Sequence, residues 1–455
     1  MEKIQLLQAR KAKLASVAKE IHDDISAIID ENSFVELSAF SFSKNDFYKE
    51  DAAGEGVVTG FATVDGYPFY IVAQNYKVCD GGMSKANCDK IVKCLDLADK
   101  NRTPVIYLLN THGVQVGEGV TVLEGLGKLL LRCAQSKKFA PQYVIVNGDV
   151  YGSAAMLASI ATFSFFVENK SVLAVNSPFV LSAKAGKNVT KEEVGGAKAL
   201  KNSGIPSFEV KDLSDAREKI LALTNLRVEP IIDAELNETI PSLNTSASVD
   251  GILSVFESSM ELNASYEPEI KTILGRVGGI SVAAIVFDGG ENGVELNAAK
   301  FAKLKNFIDV AFYRQLPLIT FTNVKGICPC IDVNNSRVLK EAAEYLELFE
   351  MLDTPKIAVV YKKAIGLGYS LFASKSIGFD YSCAFANAKI ALFDNVQGAQ
   401  IEMNDAGVDQ AVLAQRYADE NSDPVNAAKD GYIDAIIEPQ FVKQYLISAL
   451  QMLAE

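Results

Sequence analysis

Asp96-Leu97-Ala98 with Arg102-Thr103-Pro104-Val105-Ile106 returns as Asp309-Val310-Ala311 with Gln315-Leu316-Pro317-Leu318-Ile319, an offset of 213 residues (309 − 96). Further along, Pro141-Gln142-Tyr143-Val144-Ile145-Val146 ahead of Gly152 reappears as Pro355-Lys356-Ile357-Ala358-Val359-Val360 ahead of Gly366, an offset of 214 (355 − 141). A solenoid repeat runs to roughly 20–50 residues, so this period is a whole domain. The 455 residues read as a duplicated domain. In each half a helical stretch leads into a strand, a glycine-bearing loop, a second helix, a second strand and a second glycine-bearing turn that opens another helix. That order is α/β.

The pattern extends outward from the two copies. Gly54-Glu55-Gly56 precedes Val57 to Val64, the turn Asp65-Gly66 and Tyr67 to Ala73, which reads as a β-hairpin. Its partner is Ile273 to Val277, Gly278-Gly279 and Ile280 to Phe287. Residues 1–30 read as an amphipathic helix on Ile4, Leu7, Ala12, Leu14, Val17, Ile21, Ile25 and Ile28. The acidic stretch from Val210 to about Pro268, with Pro230, Pro241 and the polar run Ser242 to Ser248, holds the boundary. Domains are therefore expected over 1–240 and 241–455, with Phe441 to Ala454 as a closing helix.

Composition narrows the function. With 49% hydrophobic and 22% charged residues the chain buries large cores and is not disordered. A net charge of −13 argues against a nucleic-acid surface, which needs clustered Lys and Arg. The N-terminus has neither signal-peptide nor transit-peptide pattern, and apolar runs such as Ala154 to Val167 stop short of the roughly 20 residues of a membrane helix, so a soluble cytoplasmic protein is expected. Seven scattered cysteines suit a reducing compartment without structural disulfides. Cys328-Pro329-Cys330 has one intervening residue and no second Cys or His pair nearby, and only His22 and His112 are present, so no metal centre is expected.

A collinear series of motifs carries a family resemblance: Gly54-Glu55-Gly56-Val57-Val58-Thr59-Gly60, Lys90-Ile91-Val92-Lys93 with Asp96-Leu97-Ala98, Glu192-Glu193-Val194-Gly195-Gly196-Ala197, Lys362 to Tyr369, Ser374-Lys375, Gln397-Gly398-Ala399, and Asp423-Pro424 to Pro439. Spanning nearly the whole chain, they resemble the carboxyltransferase family of biotin-dependent acyl-CoA carboxylases. Propionyl-CoA carboxylase β-type chains and the α subunits of sodium-pumping methylmalonyl-CoA and glutaconyl-CoA decarboxylases are more similar than two-polypeptide acetyl-CoA carboxylases, because both halves share one chain and no four-cysteine zinc ribbon precedes them. The resemblance implies two tandem crotonase-like (ClpP-like) β-β-α superhelix domains. It places acyl-CoA mainly on the first and carboxybiotin on the second, usually from opposite subunits of a dimer within a trimer of dimers. Biotin would arrive in trans on a biotin carboxyl carrier protein, since no Met-Lys-Met biotinylation sequence or ATP-grasp phosphate loop occurs in the chain. The implied partners are that carrier with a biotin carboxylase or a membrane decarboxylase subunit, and further copies of the chain, from dimer to hexamer.

Moving a carboxyl group between biotin and the α-carbon of a thioester passes through an enolate and a negatively charged ureido oxygen. Backbone N–H groups fixed at a turn into a helix meet both charges without a side-chain nucleophile. By matching positions the first-half turn is Tyr151-Gly152-Ser153-Ala154 and the second-half turn Ile365-Gly366-Leu367-Gly368, with related turns at Asn110-Thr111-His112-Gly113 and Lys325-Gly326-Ile327. The expected catalytic set is Gly152, Ser153, Gly366, Leu367, Gly113 and His112, the last to polarise a thioester carbonyl. Gly81, Gly82, Lys184, Gly326 and Gly368 are expected to contact CoA or biotin, with Lys187, Lys325 and Arg337 as further charges for phosphate or carboxylate. Any one of these glycines alone fits a tight strand-to-helix turn; their recurrence at one offset points to function.

The chain departs from the family at these loops. The family's glycine pairs are here Gly152-Ser153 and Gly366-Leu367. Its Asp-Ser-Gly-Gly-Ala-Arg loop is the shorter Thr111-His112-Gly113-Val114-Gln115, without the arginine. Lys325-Gly326-Ile327 and Pro329-Cys330 replace Pro-Gly-Phe and Pro-Gly, Ser336-Arg337 replaces a glycine pair, and Asn87 replaces a histidine expected in the loop after Gly81-Gly82. A backbone N–H donates whatever its side chain, so Ser153 or Leu367 removes a donor only if φ must be positive or its Cβ fills the ligand's space. The alternatives are a decarboxylase α subunit and a non-catalytic paralogue with degenerate loops. A crotonase-type hydratase would need paired glutamates and a ClpP-like peptidase a Ser-His-Asp set, and neither stands at the matched loops.

Overall fold

The computed structural model of the chain describes residues 2–41, 53–226, 236–402 and 407–453. It divides into two compact units, Met1–Asn225 and Leu226–Glu455, ahead of the 240/241 boundary expected from composition.

Among the described residues unit 1 carries an eight-stranded sheet: β1 (Val35–Leu37), β2 (Val57–Val64), β3 (Tyr67–Gln74), β4 (Val105–Thr111), β5 (Gln142–Tyr151), β6 (Phe163–Val167), β7 (Val172–Ala174) and β8 (Phe208–Val210). Strands β1 to β3 run antiparallel, β3-β4-β5-β6-β8 parallel, and β7 extends the sheet beside the end of β5. Unit 2 repeats this with β9 (Ser258–Leu262), β10 (Ile270–Val277), β11 (Ile280–Phe287), β12 (Val294–Leu296), β13 (Leu318–Ile327), β14 (Lys356–Ile365), β15 (Tyr381–Phe385), β16 (Lys389–Ala391) and β17 (Ala435–Ile437). Its order, β17-β15-β14-β13-β11-β10-β9, is the order of unit 1, with β16 on β14 as β7 is on β5.

The duplication reaches the level of single residues. Both hairpins close on two residues with positive φ, Asp65 (51°) and Gly66 (78°) or Gly278 (59°) and Gly279 (79°), the twist a two-residue hairpin turn requires. The helices Lys85–Asn101 and Ala298–Arg314 each start on a side chain that accepts a backbone N–H, Ser84 from Asn87 or Asn297 from Lys300. Each ends on a non-glycine left-handed residue, Arg102 at φ 50° or Gln315 at 51°. The β4–β5 ladder slips between Leu109 and Thr111, and the β13–β14 ladder between Thr322 and Val324. A bulge re-aims the residues beyond it. In both units those residues lead to the glycine loop of the candidate site.

Two buried lysines form the least expected repeat. Lys90 Nζ donates to the carbonyls of Gly54 (2.9 Å) and Val57 (2.6 Å), and Lys303 Nζ to those of Asn263 (3.0 Å), Tyr266 (2.6 Å) and Glu267 (3.3 Å). Burial pushes both ammonium groups down to about 8. Each clamps the loop that leads into its unit's hairpin.

At the N-terminus the helix breaks at Ala18 into Glu2–Val17 and Lys19–Ser26. Only the second buries its apolar stripe, on Ile21 and Ile25; Ile4 and Leu7 are exposed. The closing helix is Val442–Leu453. No described helix is long and apolar enough to cross a membrane.

Candidate functional site

Strand β5 ends at Tyr151, and Gly152 turns the chain at φ +72° into a 3₁₀ turn, Gly152–Ala155, followed by the helix Met156–Ile160. Strand β14 ends at Ile365, and Gly366 turns it at φ 53°, ψ −123° into the helix Leu367–Phe372. That second conformation belongs to glycine alone. The amide of each turn glycine is already engaged: Gly152 N–H donates to Val175 O (3.1 Å) and Gly366 N–H to Ala391 O (3.0 Å). The donor left free is the next one. Among the described residues the amides of Ser153 and Leu367 have no protein acceptor, being the orphan donors of a helical start. Neither residue has a positive φ, so their side chains impose no backbone strain.

The preceding loops close on the same point. Gly113 (φ +108°) and Gly326 (φ +106°) share a positive φ, and a Cβ on either would meet the carbonyl at the end of the neighbouring strand, Tyr151 O at 3.3 Å or Ile365 O at 3.6 Å. A Cβ on Gly152 would reach Gly113 Cα at 4.0 Å. The structure thus brings Gly113, Gly152 and Ser153 together in unit 1. In unit 2, Gly326 stands against the end of β14 that leads to Gly366 and Leu367.

The other expected residues divide. His112 is exposed at this mouth; its Nε2 pairs with Tyr76 Oη at 2.9 Å and its ring tilts on Tyr151 at 5.9 Å. Tyr76 and Tyr151 both hold their protons more tightly than a free phenol, through burial first and then neighbouring carboxylates, Asp80 and Asp149 for Tyr76 and Asp149 for Tyr151. Gly81 and Gly82 support the loop: a Cβ on Gly81 would meet Asn110 O at 2.3 Å, and one on Gly82 the Gln115 amide at 2.3 Å. Met83 N–H to Gly113 O (2.8 Å) and Gln115 N–H to Met83 O (2.8 Å) complete that brace. Gly368 is buried, with space for a Cβ taken by Val324 at 2.7 Å, which is a packing role. Lys184 and Lys187 stand exposed around Gly186, whereas Lys325 is paired with Glu295 (3.3 Å) and Arg337 with Glu341 (3.3 Å). Asn87 lies in the first turn of a helix and not in a loop, and its Nδ2 donates to Glu55 O at 2.8 Å.

Sequence reading missed Tyr76 and a cavity of about 380 Å³ beside the first turn, lined by residues including Ala155, Met156, Leu173, Val175, Leu181 and Val194. The motif Glu192 to Ala197 held the signal for one wall. Gly195 lacks the Cβ that would collide with Leu173 O at 2.2 Å, which seats the helix Lys191–Gly195 against β7 and puts Val194 in the cavity. A cavity of about 640 Å³ elsewhere in unit 1 is lined by Leu14, His22, Glu36 and Phe40 among others, and by none of the expected site residues. Among the described residues no cluster of His, Cys, Asp and Glu could hold a metal.

Each of the two units, built on a mostly parallel sheet, thus sets a backbone amide with no acceptor among the described residues directly after a glycine turn at the end of a strand. The carboxyl transferase domain matches residues 18–455, and the chain belongs to that family. It is 27% identical to the methylmalonyl-CoA decarboxylase subunit alpha of Veillonella parvula, over 100% of this chain and 96% of that one. It is 27% identical to the propionyl-CoA carboxylase beta chain of Saccharopolyspora erythraea, over 95% and 87%. The transcarboxylase 12S crystal structure, a hexamer assembly with methylmalonyl-coenzyme A and methylmalonic acid bound, shares the fold at a TM-score of 0.89 and 24% identity, covering 100% of this chain and 96% of that one. The expected crotonase-like pair of domains is the fold observed.

Proposed function

We propose that the chain is the carboxyltransferase component of a biotin-dependent acyl-CoA carboxylase or decarboxylase, moving a carboxyl group between biotin on a partner carrier protein and the α-carbon of a short acyl-CoA. The carrying observation is the twinned turn: the Ser153 and Leu367 amides occupy equivalent places, each behind a glycine whose own amide is spent on the sheet. Two oxyanions form in the reaction, and two sets of fixed donors answer them. The helices behind the turns are short, Leu367–Phe372 having 6 residues, so pre-positioned amides rather than a long helix dipole provide the field.

The thioester would sit at the first turn, its carbonyl oxygen toward the Ser153 amide and the Tyr76–His112 pair at the rim, its apolar portion against the Met156, Leu173 and Val194 cavity. Lys184 and Lys187 are exposed charges on the same unit that would meet the CoA phosphates. Biotin, bound in trans, would present its ureido oxygen to the Leu367 amide near Gly326. The donors need no proton transfer and no side-chain nucleophile. The partners in this reading are a biotin carboxyl carrier protein, its biotin carboxylase or membrane decarboxylase subunit, and further copies of the chain, in the cytoplasm.

The test is calorimetric titration with acetyl-, propionyl-, malonyl- and methylmalonyl-CoA, followed by decarboxylation of any carboxylated binder with and without free biotin. Binding with biotin-dependent loss of CO₂ is expected. Absence of binding by all four thioesters would overturn the reading in favour of a non-catalytic paralogue.

A further inference from the structure

Strand β13 ends at Ile327 and is followed by Cys328-Pro329-Cys330. The Cys330 N–H donates to Cys328 O at 2.8 Å, so Pro329 sits at the corner of a very tight turn. The turn is anchored on one side, where Cys328 N–H donates to Leu296 O at 3.1 Å on β12, and on the other, where Asn334 N–H donates to Cys330 O at 2.9 Å. Both side chains fall on one face: the Cys328 thiol hydrogen-bonds to Cys330 Sγ at 2.9 Å. Cys330 is exposed and Cys328 half-buried.

The other cysteines differ. Cys88, Cys94, Cys133 and Cys383 are buried, and desolvation pushes each thiol up to about 12, out of reach of thiolate chemistry at neutral pH. Cys79 is half-buried, in the loop of unit 1 before Gly81.

We propose that Cys328 and Cys330 form a reversible dithiol–disulfide site whose reactant is a low-molecular-weight disulfide. The exposed Cys330 sulfur attacks the small disulfide; one S–S bond breaks, a mixed disulfide forms on Cys330, and one small thiolate leaves. The adjacent Cys328 sulfur then attacks Cys330 Sγ, forming the Cys328–Cys330 bond and releasing the second small thiolate. The two thiol protons end on the two released thiolates, so the protein is oxidised by two electrons and the small disulfide is reduced by two. Hydrogen bonding to Cys330, followed by burial, holds the Cys328 thiol up to about 11, consistent with Cys330 as the first sulfur to react and Cys328 as the resolving one. The site lies two residues beyond Gly326, at the loop where the chain departs from its family, and the proposal stands apart from the catalytic reading.

Full-length protein is reduced, freed of reductant, incubated with excess glutathione disulfide and analysed by intact mass and peptide mapping under non-reducing conditions. The expected product has lost two hydrogens, with both cysteines on one cross-linked peptide, and returns to the starting mass with dithiothreitol. Cys328→Ser is expected to stop at a stable glutathione adduct on Cys330, which shows the first step and removes the second. A stable glutathione adduct on the unsubstituted protein, pairing of either residue with Cys79, or no reaction at either sulfur would each overturn the proposal.

Discussion

The two glycine turns share a pattern of positive-φ glycines and spent amides and differ in almost everything attached to it. Gly113 and Gly326 agree in φ within a few degrees, at +108° and +106°, and Gly152 and Gly366 spend their amides on matching carbonyls at 3.1 and 3.0 Å. Around the first turn stand Tyr76, His112, Tyr151 and an apolar cavity. Around the second stand the exposed Leu367 side chain, the Lys325–Glu295 pair and the two thiols. A main-chain amide donor survives duplication and drift under every substitution except proline, which alone removes the N–H. The side chains around the two turns are free to diverge.

The strongest way to break this comparison is to deform one turn at a time. Gly152→Val and Gly366→Val each force a β-branched residue into a positive-φ position, and for Gly366 a Cβ would also stand 3.2 Å from Leu392 O. Each is expected to lower biotin-dependent decarboxylation by about 100- to 1,000-fold, the effect of losing an oxyanion donor. Calorimetry distinguishes them: Gly152→Val weakens thioester binding, and Gly366→Val leaves it within about twofold while abolishing the response to biotin. Equal loss of thioester binding in both would remove the division of labour.

Next in size are the buried lysines. Lys90→Met and Lys303→Met keep length but strip two or three main-chain carbonyls of a charged donor, each costing on the order of 3 kcal/mol in denaturant unfolding. Matching losses would mark the clamp as inherited from one ancestral domain; a loss in one unit only would mean that the other has found a substitute.

The fold was legible in the sequence because its repeat is one of hydrophobic pattern and turn chemistry, which are local. The hairpin turns at Asp65-Gly66 and Gly278-Gly279 announced themselves. The lysine clamps did not, since a Lys in the motif Lys90 to Lys93 reads as surface until the carbonyls that receive it are known. Several motifs that carried the family resemblance prove architectural: Gly195 admits Leu173, Gly398 lies where a Cβ would strike the Tyr417 ring at 2.2 Å, and Asp423 caps the helix Pro424–Lys429. The first-turn cavity is assembled from separate elements, and Tyr76 meets His112 across 36 residues, so neither leaves a period to read.

Glu55 gives a pH-dependent contrast between the units, because Glu267, the acid at the unit 2 clamp, is only half-buried. It lies between Gly54 and Gly56 at φ 59°, it is 4% exposed, and desolvation, partly offset by Lys90, raises its carboxyl to about 7. The folded protein therefore keeps this proton up to about pH 7, whereas an unfolded glutamate releases it near 4.5. Between those values folding takes up a proton, so stability falls as pH rises through the window and stays lower above it. Glu55→Gln removes that slope: relative to the parent, its stability is expected to rise by roughly 2–3 kcal/mol between pH 5 and pH 8, read from denaturant midpoints. A difference that stays flat with pH would mean that Glu55 is ionised throughout.

The smallest effects test whether the residues after the turn glycines are donors by their amides alone. Ser153 and Leu367 replace glycines of the family without entering positive φ, so Ser153→Ala should leave turnover within about twofold, the range of an ordinary surface substitution. Leu367 is 41% exposed and apolar beside the turn amide, and under the proposed carboxyltransferase reading its side chain would form a wall for the biotin ring system. Leu367→Ala is then expected to raise the KM for free biotin about fivefold with kcat unchanged, the loss of roughly 1 kcal/mol of apolar contact made equally in ground and transition states. If KM falls instead, the isobutyl group is occupying space the ring needs, and the second turn has drifted from its ancestral ligand while its backbone stayed still.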